Sequence, residues 1–178
     1  RPPRSTLFPY TTLFRSVTLS LARIIPADRL EEAHAIRGHF DYRDIMPYVY
    51  LEPGLREFLV FLRHKNVRLG ILTNRPTTME LVLETFDLSL FFAPVITAGR
   101  ISHPKPCPEG LQRILSAWEL SKSQVAYIGD TALDERAARA AGVPFWAYKN
   151  PALLAAMHIP DYDSLRQCLH KVLPAPGA

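Results

Sequence analysis

The sequence predicts an α/β fold, in which helices cover both faces of a parallel β-sheet. Short apolar runs, typical of strands buried on both sides, alternate with segments of helical periodicity. This alternation is the usual pattern of parallel strands connected by helices. The chain has 178 residues, of which 48% are hydrophobic. That length and composition suit one compact domain with a substantial core.

The predicted elements follow one another along residues 48–178. Residues 51–66 and "TTMELVLETFDL" are expected to be helices on either side of a strand at "VRLGILT". A strand at "APVITA" precedes a helix at "PEGLQRILSAWEL", and a strand at "VAYIG" precedes a helix at "ALDERAARAA", which Gly142 can cap. The strand "PFWAY" and a short helix over 164–173 complete the core. The residues expected on buried helix faces are Leu55, Phe58, Leu59, Leu62, Leu81, Val82, Phe86, Leu111, Ile114, Leu115 and Trp118.

The N-terminal part of the chain differs from this core. Residues 1–16, "RPPRSTLFPYTTLFRS", contain three prolines and no acidic residue, and they have no helical period. They resemble the conceptual translation of a sequencing adaptor, so we expect a non-native segment or a disordered leader. Residues 17–47 are predicted to be largely helical, with Asp28 and Glu31 forming a capping box.

Composition argues against several classes of protein. The net charge is +4, but it falls to +1 without the three arginines of residues 1–16, and no basic stripe with interleaved aromatics appears elsewhere. No apolar run reaches the length of a transmembrane helix. The two cysteines have neither CxxC nor zinc-finger spacing. We therefore expect a cytoplasmic protein with no nucleic-acid or membrane partner; the sequence carries no signal for its oligomeric state.

Polar residues follow three of the predicted strands. Thr73 and Asn74 end the run "LGILTN", Lys105 lies between two prolines in "SHPKPCPEG", and Asp130 and Asp134 follow "YIG". Ligands of open parallel sheets bind outside the carboxyl ends of the strands. These residues are therefore candidates for one site, in which a hydroxyl and free backbone N–H groups can bind an anion and a lysine can bind phosphate.

Each of these signals has a simpler interpretation. Thr73 could cap the following helix, Lys105 could be a solvated loop lysine, and Asp130 could be a helix N-cap with Asp134 near the positive end of the dipole. The two carboxylates together are harder to explain, because like charges four residues apart repel unless a cation lies between them. Carboxylates with phosphate oxygens and waters are typical ligands of Mg²⁺.

The order of these motifs resembles the haloacid dehalogenase superfamily, and in particular its phosphoglycolate phosphatase branch. The resemblance runs from Tyr48 to about Leu173, with "ILTN" similar to the second motif, "HPKPCPEGL" to the third and "IGDTALDERAARAAG" to the fourth. It implies a Rossmann-like core of three layers over residues 48–178. It also implies that residues 17–47 are the remnant of a helical cap, in which His34, Arg37, His39 and Arg43 are candidates for substrate contact.

The resemblance further implies a role for each candidate residue. Thr73 and Asn74 would bind the phosphoryl group, and Lys105 would steady the phosphate and neutralise charge around the nucleophile. Asp130 and Asp134 would hold Mg²⁺. The GDxxxD form of the fourth motif favours magnesium-dependent phosphatases over the dehalogenases of the family, which need no metal.

The family's first motif, a hydrophobic strand ending in D-x-D, has no counterpart before Asp28. Its first aspartate attacks phosphorus and forms an aspartyl-phosphate that water hydrolyses. Asp161 and Asp163 form the other D-x-D, but we reject them because they follow "MHIP", which does not resemble a buried strand, and precede a helix that Asp163 or Ser164 can cap. Asp41 and Asp44, three residues apart within predicted helix, fit no better.

The sequence therefore predicts a magnesium-dependent phosphatase for a small phosphorylated metabolite, in a form that lacks its nucleophile and is inactive. The strand of the first motif lies between "VAYIG" and "VRLGILT" in this family, so these two strands are expected to lose a shared partner. Two alternatives remain open at this point. One is a metal-independent 2-haloacid dehalogenase, and the other is a non-catalytic Rossmann-like binding or regulatory module.

Overall fold

The computed structural model describes residues 26–29, 31–32, 41–75 and 77–173, and it confirms an α/β fold with parallel strands. Strand β1 (Ile71–Thr73) pairs with β2 (Val95–Thr97), and β3 (Tyr127–Gly129) pairs with β4 (Phe145–Tyr148), which pairs with β5 (Met157–Ile159). Every one of these pairings is parallel. The carboxyl ends of the strands in each sheet consequently lie along one edge.

Five α-helices accompany the strands in the described part of the chain. They are α1 (Leu55–His64), α2 (Met79–Thr85), α3 (Glu109–Trp118), α4 (Ala132–Ala141) and α5 (Tyr162–Val172). Short 3-10 helices lie at Ala27–Arg29, Tyr42–Tyr48, Ser89–Phe91, Ala98–Arg100 and Lys122–Gln124. No helix in these ranges combines the length and the hydropathy that a transmembrane span needs.

The core lies in layers on the two faces of the strands. On one face, residues of α3 and α4 pack with Leu72 of β1 and with Phe145 and Ala147 of β4, so both sheets share this cluster. On the other face, α1 and α5 pack against β5 through Phe58, Leu62, Ile159 and Leu165. A third cluster joins α1 and α2. This arrangement of helices around parallel strands is the predicted three-layer fold.

Several local predictions are corrected. The strand predicted at "VRLGILT" begins only at Ile71. The Ile71 N–H donates to the carbonyl of Pro94, but Pro94 has no N–H with which to continue the ladder before this point. The buried residue of α2 is Leu83 (4% exposed), whereas Leu81, Val82 and Phe86 are only half-buried. Leu83 packs with the buried residues of α1, which explains its position.

The run "MHIP" does contain a strand, contrary to the sequence prediction. Met157–Ile159 forms β5, and Ile159 is 2% exposed. A strand therefore does precede Asp161, but it is not buried throughout, since Met157 is half-buried and His158 is exposed. Asp161 nonetheless acts as the N-cap of α5, because its carboxylate accepts a hydrogen bond from the Ser164 N–H at 2.6 Å. The helix accordingly begins at Tyr162 rather than at residue 164.

The predicted cap remnant is only partly described. Asp28 lies inside the 3-10 helix Ala27–Arg29, and residues 31–32 are α-helical, so the predicted capping box of Asp28 and Glu31 stays a prediction. Asp41 is not helical; it caps Tyr42–Tyr48 by accepting a hydrogen bond from the Arg43 N–H at 2.9 Å. His34, Arg37 and His39 lie outside the described residues, and Arg43 is exposed.

Strands β1 and β3 each have a single strand partner among the described residues. The Tyr127 side chain of β3 and the Lys105 side chain, from the loop before α3, both contact the Leu72 carbonyl of β1, at 3.4 and 3.3 Å. This contact aligns the carboxyl ends of β1 and β3. A strand between them stays a prediction.

Candidate functional site

Lys105 is a buried cation and not a solvated loop residue. Its side chain is 4% exposed, and its Nζ donates to Asp134 Oδ1 at 2.6 Å, to the Tyr127 hydroxyl at 3.2 Å and to the Leu72 carbonyl at 3.3 Å. An ammonium group has three N–H donors. The ammonium of Lys105 is therefore fully hydrogen-bonded within the protein.

Asn74 fixes the loop that carries this lysine. The Asn74 side chain is 1% exposed, and its Nδ2 donates to the Lys105 carbonyl at 3.0 Å. In return the Lys105 N–H donates to Asn74 Oδ1 at 3.0 Å. The amide thus fastens the loop to the end of β1, and its predicted contact with a phosphoryl group stays a prediction.

Thr73 does not cap the helix that follows it. The N-cap of α2 is Thr78, and the Thr73 hydroxyl instead accepts a hydrogen bond from the Arg75 N–H at 3.1 Å, two residues further on. This local bond forms a turn at the strand end. Thr73 is half-buried there, and the hydroxyl proton is not used by this bond. The Thr73 hydroxyl could donate this proton to a phosphate oxygen, and its binding of phosphate stays a prediction.

The two aspartates have different surroundings. The N-cap of α4 is Thr131 and not Asp130, because Thr131 and Asp134 form a reciprocal capping box. Asp134 Oδ2 accepts from the Thr131 N–H at 3.2 Å and from its hydroxyl, while Oδ1 accepts from Lys105 and, at 2.7 Å, from Tyr127. Asp130 is exposed, and its backbone carbonyl accepts from Asn150 Nδ2 at 2.8 Å.

These contacts set the protonation of the site. Burial alone would raise the pKa of Asp134, but the charge of Lys105 and the hydrogen bonds from Lys105, Thr131 and Tyr127 lower it below its ordinary value. Partial withdrawal from water and the negative charge of Asp134 raise the pKa of Asp130. Burial, followed by the charge of Asp134, raises the pKa of Tyr127 well above its ordinary value. Tyr127 therefore stays protonated as a hydrogen-bond donor.

The carboxylates do not by themselves form a magnesium site. Within the described ranges, no group of three or more His, Cys, Asp and Glu side chains could hold a metal ion. Both oxygens of Asp134 already accept hydrogen bonds, whereas Asp130 makes no ion pair with any residue of the described chain. The described residues supply one accessible carboxylate, that of Asp130, and Mg²⁺ held by one carboxylate takes its other ligands from phosphate oxygens and waters.

The structure brings together Asn74, Lys105 and Asp134, and it adds two residues that the sequence analysis missed. Thr131 could have been found, because T-x-x-D before a helix is a capping-box pattern. Tyr127 carried a weaker signal, a polar group in an otherwise apolar strand. Its hydroxyl lies between Lys105 and Asp134, and only the fold reveals that contact.

Comparison with known proteins shows the family of the chain. The sequence matches the haloacid dehalogenase-like hydrolase family over residues 25–148. Phosphoglycolate phosphatase from Salmonella typhi is 32% identical over 163 residues, and that from Escherichia coli (strain K12) is 29% identical over 161 residues. Each alignment covers 86% of this chain and 62% of the relative, so the chain spans less than two thirds of the length of these relatives.

Solved structures show the same fold. A HAD-superfamily hydrolase, subfamily IA, variant 1, from Geobacter sulfurreducens PCA has a TM-score of 0.72 and 39% identity, and the alignment covers 80% of this chain and 74% of that chain. A HAD-superfamily hydrolase from Ehrlichia chaffeensis has a TM-score of 0.65 and 19% identity over 95% of this chain and 80% of that chain, a likeness in fold alone. The matched residues 25–148 include Thr73, Lys105, Asp130 and Asp134, and the chain belongs to the haloacid dehalogenase-like hydrolase family.

Proposed function

We propose that this chain is part of a magnesium-dependent phosphatase that hydrolyses a small phosphate monoester through an aspartyl-phosphate. The observation that carries the proposal is the buried pair of Lys105 and Asp134 beside the ends of β1 and β3. A fixed cation at this edge of a parallel sheet suits a dianionic substrate. The names of the relatives, which are phosphoglycolate phosphatases, support the same class of substrate.

Phosphoryl transfer depends mainly on positioning and on electrostatic stabilisation. In this proposal the Thr73 hydroxyl binds a phosphoryl oxygen, and Lys105 supplies positive charge near the attacking carboxylate. Asn74 holds the backbone of Lys105, while Asp134 holds its ammonium. Because all three donors of Lys105 are taken by the protein, the lysine acts on the phosphate through its charge unless one of these bonds is exchanged.

We assign Asp130 as the first carboxylate ligand of Mg²⁺, since it is exposed and unpaired by any cation of the described chain. Asp134, the second predicted ligand, would have to give up hydrogen bonds to Lys105 or Thr131 to reach the ion. Further ligands would come from outside the described residues. The proposed location is the cytoplasm, where the free thiols of Cys107 and Cys168 would stay reduced.

No aspartate of the described residues is placed as a nucleophile. Asp161 follows β5, but its carboxylate caps α5, and Asp163 pairs with Arg166 at 3.1 Å. We therefore propose that the chain by itself binds phosphate and Mg²⁺ weakly and does not turn over. A preceding strand that ends in D-x-D would supply the nucleophile and pair with both β1 and β3.

The test compares two proteins, the chain itself and the same chain preceded by an apolar strand ending in D-x-D. With Mg²⁺ and p-nitrophenyl phosphate, we expect phosphate release by the extended protein alone. The Lys105→Met variant of the extended protein should lose that activity. Turnover by the shorter chain would refute its proposed inactivity. A folded extended protein that releases no phosphate would refute the phosphatase assignment, and metal-independent halide release from a 2-haloacid would replace it with the dehalogenase.

Because no described aspartate is assigned as the nucleophile, a second candidate function is a protein that binds its ligand without catalysis. A non-catalytic module would use the Thr73 hydroxyl to bind a phosphorylated ligand without hydrolysing it. It predicts tight binding of a phosphate ester by the chain itself, measured by calorimetry, whereas the fragment of an enzyme predicts weak binding.

A further inference from the structure

Tyr127 contacts both charged groups at the centre of the site. Resting on the phosphatase function proposed above, we propose that Tyr127 is a positioning residue, whose hydroxyl holds the Lys105 ammonium and the Asp134 carboxylate in a fixed mutual arrangement. The residue does not touch substrate in this proposal. It acts through the two side chains that it orients.

The hydrogen-bond geometry gives the hydroxyl a defined orientation. A tyrosine hydroxyl has one proton to donate and lone pairs that accept. Its oxygen is 2.7 Å from Asp134 Oδ1 and 3.4 Å from the Leu72 carbonyl, so the proton goes to the nearer, charged acceptor. Lys105 Nζ, at 3.2 Å, then donates to a lone pair of the same oxygen. The hydroxyl is therefore a bridge from lysine to carboxylate.

The other end of the side chain is held by the fold. Tyr127 lies in β3 opposite Phe145 of β4, and its N–H donates to the Pro144 carbonyl at 2.9 Å. Its ring packs against the cluster beneath the sheets, with the Phe145 ring centroid 6.3 Å away and the ring planes tilted by 44°. The phenol thus links the charged pair to the packed core.

Phenylalanine at this position would retain the ring packing and remove only the bridge. Lys105 would lose one of its three acceptors, and Asp134 would lose one donor to Oδ1, while the direct contact between them would remain. We therefore expect Tyr127→Phe to loosen Lys105 locally and leave the fold intact. A residue with a merely structural role would instead change global stability without any selective effect on Lys105.

The test measures how fast each lysine of the full chain is acetylated by a dilute amine-reactive ester, with mass spectrometry to locate the label. The exposed Lys122 and Lys171 serve as internal references. The matched control is Tyr148→Phe, which removes another phenol hydroxyl from the next strand, one bonded to Glu52 at 3.0 Å. Because a hydrogen bond to a charged group changes a local opening equilibrium by about tenfold or more, Tyr127→Phe should raise Lys105 labelling by about that factor relative to the references.

The expected result is a selective rise at Lys105 in Tyr127→Phe and none in Tyr148→Phe. Equal labelling in the wild type and Tyr127→Phe, or an equal rise in both variants, would overturn the proposal. If Tyr127→Phe does not fold, the proposal is tested on the wild-type chain instead. NMR with ¹³Cζ-labelled tyrosine then measures how fast each tyrosine hydroxyl proton exchanges with water. Slow exchange of the Tyr127 hydroxyl, against fast exchange at the exposed Tyr48 and Tyr50, supports the bridge, and fast exchange at Tyr127 refutes it.

This readout is independent of turnover. If the extended protein fails to release phosphate while Tyr127→Phe still exposes Lys105 selectively, the proposed function fails and the positioning of the pair stands. Normal phosphate release together with unchanged Lys105 labelling would refute the role of Tyr127 alone.

Discussion

Removing one partner of the Lys105–Asp134 pair should destabilise the protein far more than removing both. Their side chains are 4% and 3% exposed, and Nζ lies 2.6 Å from Oδ1. At that distance, with an effective dielectric constant of about 20, the Coulomb attraction is about 6 kcal/mol. Desolvation of the two ions costs several kcal/mol each and offsets much of it. The net value of the pair is therefore small, but an unpaired buried charge is costly.

The structure also predicts which single variant is worse. In Lys105→Met, the Asp134 carboxylate keeps hydrogen bonds from Tyr127 and Thr131, so we expect a loss of about 3 kcal/mol in the free energy of unfolding. In Asp134→Leu, the ammonium keeps only the neutral oxygens of Tyr127 and Leu72, and the expected loss is about 5 kcal/mol. The double variant has no buried charge left and should lose less than Asp134→Leu.

Urea unfolding at pH 7, followed by far-UV circular dichroism, measures the free energy of unfolding of the wild type, the two single variants and the double variant. The control is Arg166→Met, because Arg166 and Asp163 form a far more exposed ion pair, and such pairs contribute about 0–1 kcal/mol. A loss below about 1 kcal/mol in Lys105→Met would show that the pair is solvated. A double variant whose loss equals the sum of the two single losses would show that the charges are not coupled. Either result would refute the reasoning.

Three further predictions concern the surroundings of the site. Gly129→Ala places a Cβ 2.5 Å from the Cβ of Asp134, so it should lower the unfolding free energy by about 1–3 kcal/mol, measured by urea unfolding; an unchanged value would show that β3 and α4 can separate freely. Asn74→Ala leaves an N–H and a carbonyl of the lysine loop without partners, and it should speed amide hydrogen exchange in that loop but not in α5. The Lys149 hydrogen bond lowers the pKa of Glu52, so Lys149→Met should raise that pKa in an NMR titration. Because the pKa of Glu52 is depressed in the folded state, its contribution to stability is present above the unfolded pKa and is lost as pH falls through the folded pKa. Lys149→Met should weaken this dependence of stability on pH. An unchanged profile of stability against pH would contradict the assignment.

Local sequence patterns predicted most of the secondary structure. The helix at "ALDERAARAA" is observed as Ala132–Ala141, with Gly142 in the left-handed conformation that ends it, because small and apolar residues recur at helical spacing. The strand Met157–Ile159 was missed because it is three residues long and its central His158 is exposed, which gives no apolar run. Short edge strands are defined by their pairing partner, and that information is not local.

The location of the candidate site was predictable, but its internal contacts were not. The rule that polar residues gather at the carboxyl ends of parallel strands correctly placed Asn74, Lys105 and Asp134 together. The rule does not say which polar atoms satisfy one another. Asn74 was predicted to bind phosphate. In the structure its Nδ2 and Oδ1 atoms are hydrogen-bonded to the carbonyl and the N–H of Lys105, because the backbone groups of a buried loop need hydrogen-bond partners.

The same requirement separates the two aspartates that looked equivalent in sequence. Four residues apart at a helix start, Asp130 and Asp134 were expected to repel unless a cation lay between them, and the cation in this structure is the Lys105 ammonium bonded to Asp134. That neutralisation lets Asp134 be buried and leaves Asp130 exposed by comparison, with its pKa raised by partial desolvation and then by the Asp134 charge. A metal at Asp130 would lower the pKa of Asp130 again, since an added positive charge favours the ionised carboxyl. Mg²⁺ binding by the extended protein should therefore release protons in proportion to the fraction of Asp130 that is protonated. The release should grow as pH falls toward that pKa and vanish in Asp130→Asn. Calorimetry in buffers of different ionisation enthalpy measures it, and release that persists in Asp130→Asn would place the metal elsewhere.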